Sequence, residues 1–460
     1  MRLFLLGLGA LITAIDFTIV YVALPQIARD VGFSATGLQW VVTAYAVPFG
    51  GLLLLGGRLA DLVGRRRMFV AGMILYGVAS TLGGLSGSPG WLILARVLQG
   101  VGGALLMPAT LSLVATLFDE GPARNRAMTV WAVCGAGGLS LGALLGGVLT
   151  GYFGWSAVFF VNVPIAAAGA LLALTVLPAS APPLPAAASP LPGSAPSLPG
   201  DRRFDLPGAL LGTLGVTGLI LALTQGPVWG WPTSGLLAAA SLAALGAFLL
   251  IESRTRNPLM PLRLWSNPHT RTAALAILVY GMTLQSVPYF LTLYFQDVLG
   301  YAALQSGLAF LGPTLGITAG NLLSERLLTR LGLRRTLLIS LVTGVAGTAL
   351  LGLSLTPDGT YLTLLAGLLG FGLGSGLSFN TLFILASTGV PATDQGAASG
   401  LSTTVLQAGS GTGLALLILI SGTDGTPDLR LAVLTAALLA VTALILPLRR
   451  KTREAAAPNL

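Results

Sequence analysis

One carboxylate and one guanidinium stand inside long apolar runs, where a charge is costly. Asp16 lies in Thr13-Ala14-Ile15-Asp16-Phe17-Thr18-Ile19-Val20, thirteen residues beyond Leu3, about 20 Å along a helix rising 1.5 Å per residue. An ionised carboxyl at that depth is strongly disfavoured unless it is hydrated or paired. A group there that can take up and release a proton is what a proton-coupled carrier needs. The same charge could attract a cationic substrate, so that proton and substrate compete. The other reading is a structural aspartate bonded to a neighbouring helix. Arg96, in Leu94-Ala95-Arg96-Val97-Leu98-Gln99-Gly100, is the only basic residue inside such a run. It should line a wet cavity, or meet Asp16 or backbone carbonyls, with Gln99 on its own face at i+3.

A second group of charges sits between apolar runs and occurs twice. Residues 57–67 read Gly57-Arg58-Leu59-Ala60-Asp61-Leu62-Val63-Gly64-Arg65-Arg66-Arg67. Arg326, Gly332, Arg334 and Arg335 repeat Arg58, Gly64, Arg66 and Arg67 at one offset of 268 residues. Gly57 and Gly64 suit tight turns and close approach. Asp61 can accept bonds from a facing helix N-terminus or from arginines. The expected role is an inner latch, made and broken as two halves rock, with a plain topology anchor as the alternative. Thr329 stands where the second copy would need an aspartate, so only the first latch can be acidic.

The elements that carry these groups are membrane helices. Only 8% of residues are charged, 54% are hydrophobic, and the mean hydropathy is +0.86. A soluble domain of 460 residues could not cover its surface with so few charges. Fourteen runs are long enough to span a bilayer: 3–24, 39–57, 68–87, 91–115, 127–151, 157–177, 206–225, 233–252, 272–295, 304–323, 336–354, 361–386, 397–421 and 429–448. A net charge of +9 raises the possibility of a nucleic-acid partner, but the placement of the charges excludes it. With the N-terminus inside, 21 of 24 Lys and Arg fall on one side, the positive-inside pattern. Cys134 is alone, so no intramolecular disulfide is possible. The opening run is too long, and carries Asp16, to be a cleaved signal peptide.

The expected organisation is an N-terminal six-helix bundle over 1–177 and a Pro/Ala/Ser-rich cytoplasmic linker over 178–205. An inserted helix pair follows at 206–252, with Asp205 as its cap, then a basic cytoplasmic loop at 253–271. A C-terminal six-helix bundle over 272–448 and a cytoplasmic tail over 449–460 complete the chain. Repetition of the basic loop at half-chain distance is how a duplicated transporter is built. In the fifth segment Gly138, Gly142 and Gly146, with Gly147 beside them, put bare backbone on one face for close helix packing. Possible cavity-lining side chains are Gln39, Trp40, Tyr45, Trp131, Asn162, Gln285, Tyr289, Tyr294, Asn380 and Gln407. An intramembrane enzyme is not expected. The sole histidine, His269, lies in a loop, no His-Glu-x-x-His occurs, and only one aspartate lies within the bilayer.

The motifs together resemble the major facilitator superfamily, and within it the fourteen-helix drug:proton antiporters. Asp16-Phe17-Thr18-Ile19-Val20-Tyr21-Val22-Ala23-Leu24-Pro25 is similar to that family's first-helix signature, 57–67 to its loop motif, and Arg96-Val97-Leu98-Gln99-Gly100 to its fourth-helix motif. Trp155, Phe160, Asn162, Pro164 and Ile165 resemble the start of its sixth helix. The chain departs at Ala143, where the fifth-helix pattern has proline, and at Ser156, where arginine is usual. The resemblance implies an all-α integral membrane protein of the major facilitator fold, with two pseudo-symmetric six-helix bundles plus two extra central helices. It also implies alternating access and proton-driven export of lipophilic or cationic compounds from the bacterial inner membrane, both termini being cytoplasmic. Coupling is assigned to Asp16 and proton-linked polarity to Arg96. The alternative is a dedicated exporter of one metabolite, siderophore or antibiotic. The expected partners are a small-molecule substrate, protons and lipid, with no nucleic acid. The proton gradient replaces any cofactor or metal, and the expected state is a monomer.

Overall fold

A computed structural model describes residues 1–33, 35–38, 40–178, 206–255, 262–421 and 428–444. The expected linker beyond Pro178, the Asp205 cap, Gln39, part of the 253–271 loop and the 449–460 tail lie outside them.

The described chain is helical. Its main helices are α1 (Arg2–Val31), α2 (Trp40–Val63), α3 (Arg65–Gly84), α4 (Pro89–Leu117), α5 (Pro122–Phe153), α6 (Asn162–Val176), α7 (Leu206–Trp229), α8 (Trp231–Glu252), α9 (Pro268–Met282), α10 (Leu311–Ser354), α11 (Tyr361–Ser387), α12 (Gln395–Ser421) and α13 (Leu429–Ala440). In lipid a spanning segment must satisfy its own backbone, which favours helices throughout. Proline opens α4, α5 and α9, where its missing N–H costs nothing. Asn267 caps α9 by accepting from His269 N at 2.9 Å, which places His269 in the first turn of a helix rather than in a loop.

Among the described residues ten helices are long and apolar enough to cross a bilayer. A further span is bent by 41° between Pro122–Leu139 and Leu144–Phe153. The stretch Gln305–Ser354, at 50 residues, is long enough for two crossings, and α10 within it breaks at Gly332 (φ 77°). Gly64, at the equivalent place between α2 and α3, also has positive φ (108°). The repeat seen in sequence is thus a repeat of backbone conformation, at a position an L side chain disfavours. Pro207–Ala222 and Leu429–Leu444 are shorter apolar helices at the sites of the seventh and fourteenth runs. The bend in α5 occurs although Ala143 replaces proline; the glycines around it can supply a kink.

Packing sets where the site lies. The closest partner of α1 is α5, and α4 packs between α2 and α3. α10 lies along α11, and α9 lies along α12. Helices of the first half meet those of the second along two seams, α2 and α4 with α12, and α5 with α10 and α11. α7 rests on both α2 and α12 as well as on α8. Its Thr217 and Ile220 seat against Gly51 and Gly50 of α2, and Trp229 meets Trp40 at 6.5 Å between ring centroids.

Candidate functional site

Asp16 is fully buried and Arg96 is 2% exposed. α1 and α4 bring them together, with Arg96 Nη1 donating to Asp16 Oδ2 at 2.6 Å. Arg96 also donates through Nε to Val41 O of α2 (2.9 Å) and through Nη1 to Gln99 Oε1 (2.8 Å). Its guanidinium carbon lies 4.5 Å from the Tyr45 ring centroid, a cation–π contact. Gln99 Nε2 donates to Asp16 Oδ1 (3.3 Å) and to Ser80 Oγ of α3 (2.8 Å). Asn162 Nδ2, from the first residue of α6, donates to Asp16 Oδ1 at 3.1 Å. Of the sequence alternatives for Arg96, contact with Asp16 and with a backbone carbonyl are both realised.

This cluster can perform one distinctive operation. Removing one partner of a buried ion pair usually costs about 3–5 kcal/mol, because the other charge is stranded. Here the Val41 carbonyl, the Gln99 amide oxygen and the Tyr45 ring would still hold Arg96 if Asp16 were neutralised.

The first basic loop forms a link between the halves. The Asp61 side chain is 3% exposed and accepts from Gly396 N (3.1 Å) and Ala397 N (2.9 Å) at the N-terminus of α12. Arg65 donates to Asp61 Oδ1 at 3.0 Å, to Ser112 Oγ at 2.6 Å, and to Ala392 O across the seam. Gly57 lets the crossing happen: a Cβ there would sit 3.0 Å from Gly400 Cα. Arg66 donates to Leu174 O, and Arg67 is exposed. Arg65 and Arg66 are thus engaged rather than left at the surface. Arg58 is half-buried and has no ion pair among the described residues.

The second copy differs. Arg326, Arg334 and Arg335 are exposed and make no bond to the first half among the described residues, and Thr329 bonds only to Glu325 O and Arg326 O on its own helix. Without a carboxylate this loop has nothing to offer a facing helix N-terminus. Other residues close the same face. Glu120 Oε1 accepts from Gly389 N (3.1 Å), and Asn380 Nδ2 donates to Thr129 Oγ1 of α5 (2.8 Å) and to Ser324 Oγ (2.5 Å). Trp131 of α5 stacks on Phe379 of α11 at 6.1 Å and 7°, and Phe379 lies 4.6 Å from Phe383.

The expected cavity wall is therefore largely reassigned. Tyr45 and Asn162 belong to the Asp16 cluster, Asn380 and Trp131 to the seam, and Tyr294 bonds to Thr356 O (2.6 Å). A polar side chain at membrane depth finds a hydrogen-bonding partner before it faces open space. Gln407 is half-buried against Gly50. Gln285 and Tyr289 remain exposed, the latter at 43%. Phe17 and Tyr21 join them, which the sequence reading passed over. Both are exposed on α1, with rings 6.1 Å apart, and Tyr21 lies within electrostatic reach of Arg96 and of Tyr289 in the other half. Their i, i+4 spacing beside Asp16 was the available signal.

Small residues hold the scaffold. Cβ atoms at Gly138 and Gly146 would lie 2.8 Å from Leu11 O and Ile19 O of α1, and Gly142 meets Ile15 and Thr18. Gly147 is half-buried beside that face. Gly100 abuts Tyr45 O and Pro48 of α2. At the receiving end of the latch, Arg263 pairs with Asp394 at 2.8 Å, and Leu264 packs with Val390, Ala397 and Ala398. Among the described residues no group of three or more His, Cys, Asp or Glu could hold a metal.

Residues 6–414 and 273–458 match the profile of the Major Facilitator Superfamily. A cephamycin export protein of Amycolatopsis lactamdurans is 40% identical over 430 residues, covering 90% of this chain and 83% of that protein. A puromycin resistance protein of Streptomyces alboniger is 39% identical over 419 residues, covering 89% and 79%. A tetracenomycin C resistance and export protein of Streptomyces glaucescens is 32% identical over 417 residues, covering 89% and 74%. Among solved structures, the human organic anion transporter MFSD10 superposes with a TM-score of 0.70 at 17% identity, over 97% of this chain and 98% of that one. The transporter FucP in its outward conformation gives 0.63 at 16% identity, over 98% and 99%. An all-helical, multi-pass membrane protein with this fold and these relatives is a transporter and not an enzyme: the chain belongs to the major facilitator superfamily, among its antibiotic and drug resistance exporters.

Proposed function

We propose that the chain is a proton-coupled secondary exporter of small lipophilic or cationic compounds, working by alternating access in a bacterial cytoplasmic membrane. Its two six-helix bundles are 1–177 and 272–448, both termini are cytoplasmic, and it acts as a monomer driven by the proton gradient. The observation that carries this reading is the sealed Asp16–Arg96 pair within a transporter fold. In the arrangement described, the face bearing the 57–67 loop is shut by Asp61, Arg65, Glu120 and Asn380. The positive-inside rule makes that face cytoplasmic, so this is the state that faces outward. A proton entering from outside neutralises Asp16 and loosens its hold on Arg96 and thereby on α4. The halves then rock, the latch parts, and the proton leaves inward as substrate loads between Phe17, Tyr21, Gln285 and Tyr289.

The test is Asp16→Asn in energised membrane vesicles. Proton-driven efflux of a fluorescent dye is lost while the protein stays in the membrane, and full efflux by the variant would remove the coupling role. A second reading, export of one antibiotic, draws support from relatives named for cephamycin, puromycin and tetracenomycin C. A panel of compounds in proteoliposomes separates the two, one strong response against many weak ones.

A further inference from the structure

Asn162 holds an unused acceptor beside the proposed proton site. Its Nδ2 donates to Asp16 Oδ1 at 3.1 Å, and its Oδ1 is buried without a hydrogen-bond partner among the described residues. The residue itself is fully buried. An orphaned amide oxygen in such a place is costly. The three side chains bonded to the Asp16 carboxylate, Arg96, Gln99 and Asn162, all reach it through donors. That set suits the ionised carboxylate. A protonated carboxyl carries an O–H that needs an acceptor, and none of these three atoms can serve.

We infer that Asn162 is the positioning residue that lets Asp16 hold a proton, by turning its amide so that Oδ1 accepts the new O–H. The inference rests on Asp16 being the coupling site. A half-turn about χ2 exchanges Nδ2 and Oδ1, placing the oxygen where the nitrogen now stands. Only the bond to Asp16 is given up, because Nδ2 has no other partner among the described residues. Gln99 cannot do the same. Its Oε1 accepts from Arg96, so its flip would set an amide N–H against the guanidinium N–H. The ionisable and charged groups facing the site are Arg96 from α4, Tyr45 from α2, Tyr76 from α3 and Tyr21 from α1. α6 contributes the neutral amide alone, so the step moves one proton and no other charge.

The test is infrared titration of the reconstituted protein, with the Asp16 carboxyl band identified by its loss in Asp16→Asn. In the wild type the protonated band lies where a hydrogen-bonded carboxylic acid absorbs. In Asn162→Leu, similar in size but without an acceptor, the band moves to the higher wavenumber of an unbonded acid. The variant also loses the Nδ2 bond to the ionised form, so the band position, and not the titration midpoint, reads the missing acceptor. In Asn162→Ser, whose hydroxyl can donate or accept, the wild-type band returns. A wild-type acid already unbonded, or an Asn162→Leu band unchanged in position, overturns the inference while leaving proton coupling in place. A wild-type Asp16 that never titrates removes the coupling reading and this inference with it.

Discussion

Asp61→Asn should shift the balance between outward- and inward-facing states, and the structure sets the size of the shift. Asp61 accepts two backbone N–H groups at the α12 N-terminus and one bond from Arg65. The asparagine keeps one oxygen of the two. One backbone bond is then lost, worth about 1 kcal/mol. Removing the charge costs about 0.5–2 kcal/mol at a partly buried helix N-terminus. The pair with Arg65, which is 22% exposed, is worth about 0.5–1 kcal/mol after screening. The Arg65 pair lies within one half and persists in both states, so the terms that cross the seam total about 1.5–3 kcal/mol, a shift of roughly 10-fold to 150-fold. The bonds from Gly396 and Ala397 exist only when the face is shut, so most of this falls on the conformational equilibrium rather than on folding. Spin labels at Asp119→Cys and Thr393→Cys, in a Cys134→Ser background, read the gap directly, since both positions are exposed on that face. The long-distance population grows in Asp61→Asn. Arg65→Ala added to it has less than its separate effect, because the two side chains share a bond. A distance distribution identical to the parent's would refute the latch.

Asp394→Asn weakens the turn that receives Asp61. Its partner Arg263 is 68% exposed, so the same spin-label distances should change less than tenfold in population. Gly142→Leu forces a side chain against Ile15 and Thr18 of α1; overpacking of about 1–3 kcal/mol lowers the melting temperature in detergent, and an unchanged melt would contradict the close packing of α1 on α5. Arg334→Ala with Arg335→Ala removes two exposed side chains that bridge nothing among the described residues. Efflux and the spin-label gap stay at parental values, whereas a widened gap would show that the second loop also latches.

The path of the chain was readable because lipid imposes long apolar runs, and the repeated loop because it keeps glycine at positive φ in Gly64 and Gly332. Asp16 and Arg96 stood out for the same reason: charge in an apolar run is rare. Their direct pairing was one of the alternatives the sequence allowed. Which way Tyr45, Asn162 and Asn380 face was not readable. Helices apolar all round carry no strong stripe to orient them, and the partners of Asn380 lie 251 and 56 residues away. The receiver of the latch did carry a sign. Gly396 and Gly400 have the spacing of a close-packing face, but that spacing is too common in membrane helices to single out one partner. The loss of proline at position 143 argued against a kink in the fifth helix, yet α5 bends by 41°.

The placement of α7 makes the two flanks of the protein unequal. It fills the groove where α2 meets α12, with Ile220 and Thr217 pressed onto paired glycines. Lipid on that flank meets α7 before it meets the seam. The two flanks of the seam are therefore built differently, one roofed by a third helix and the other formed by α5 directly against the α10–α11 hairpin.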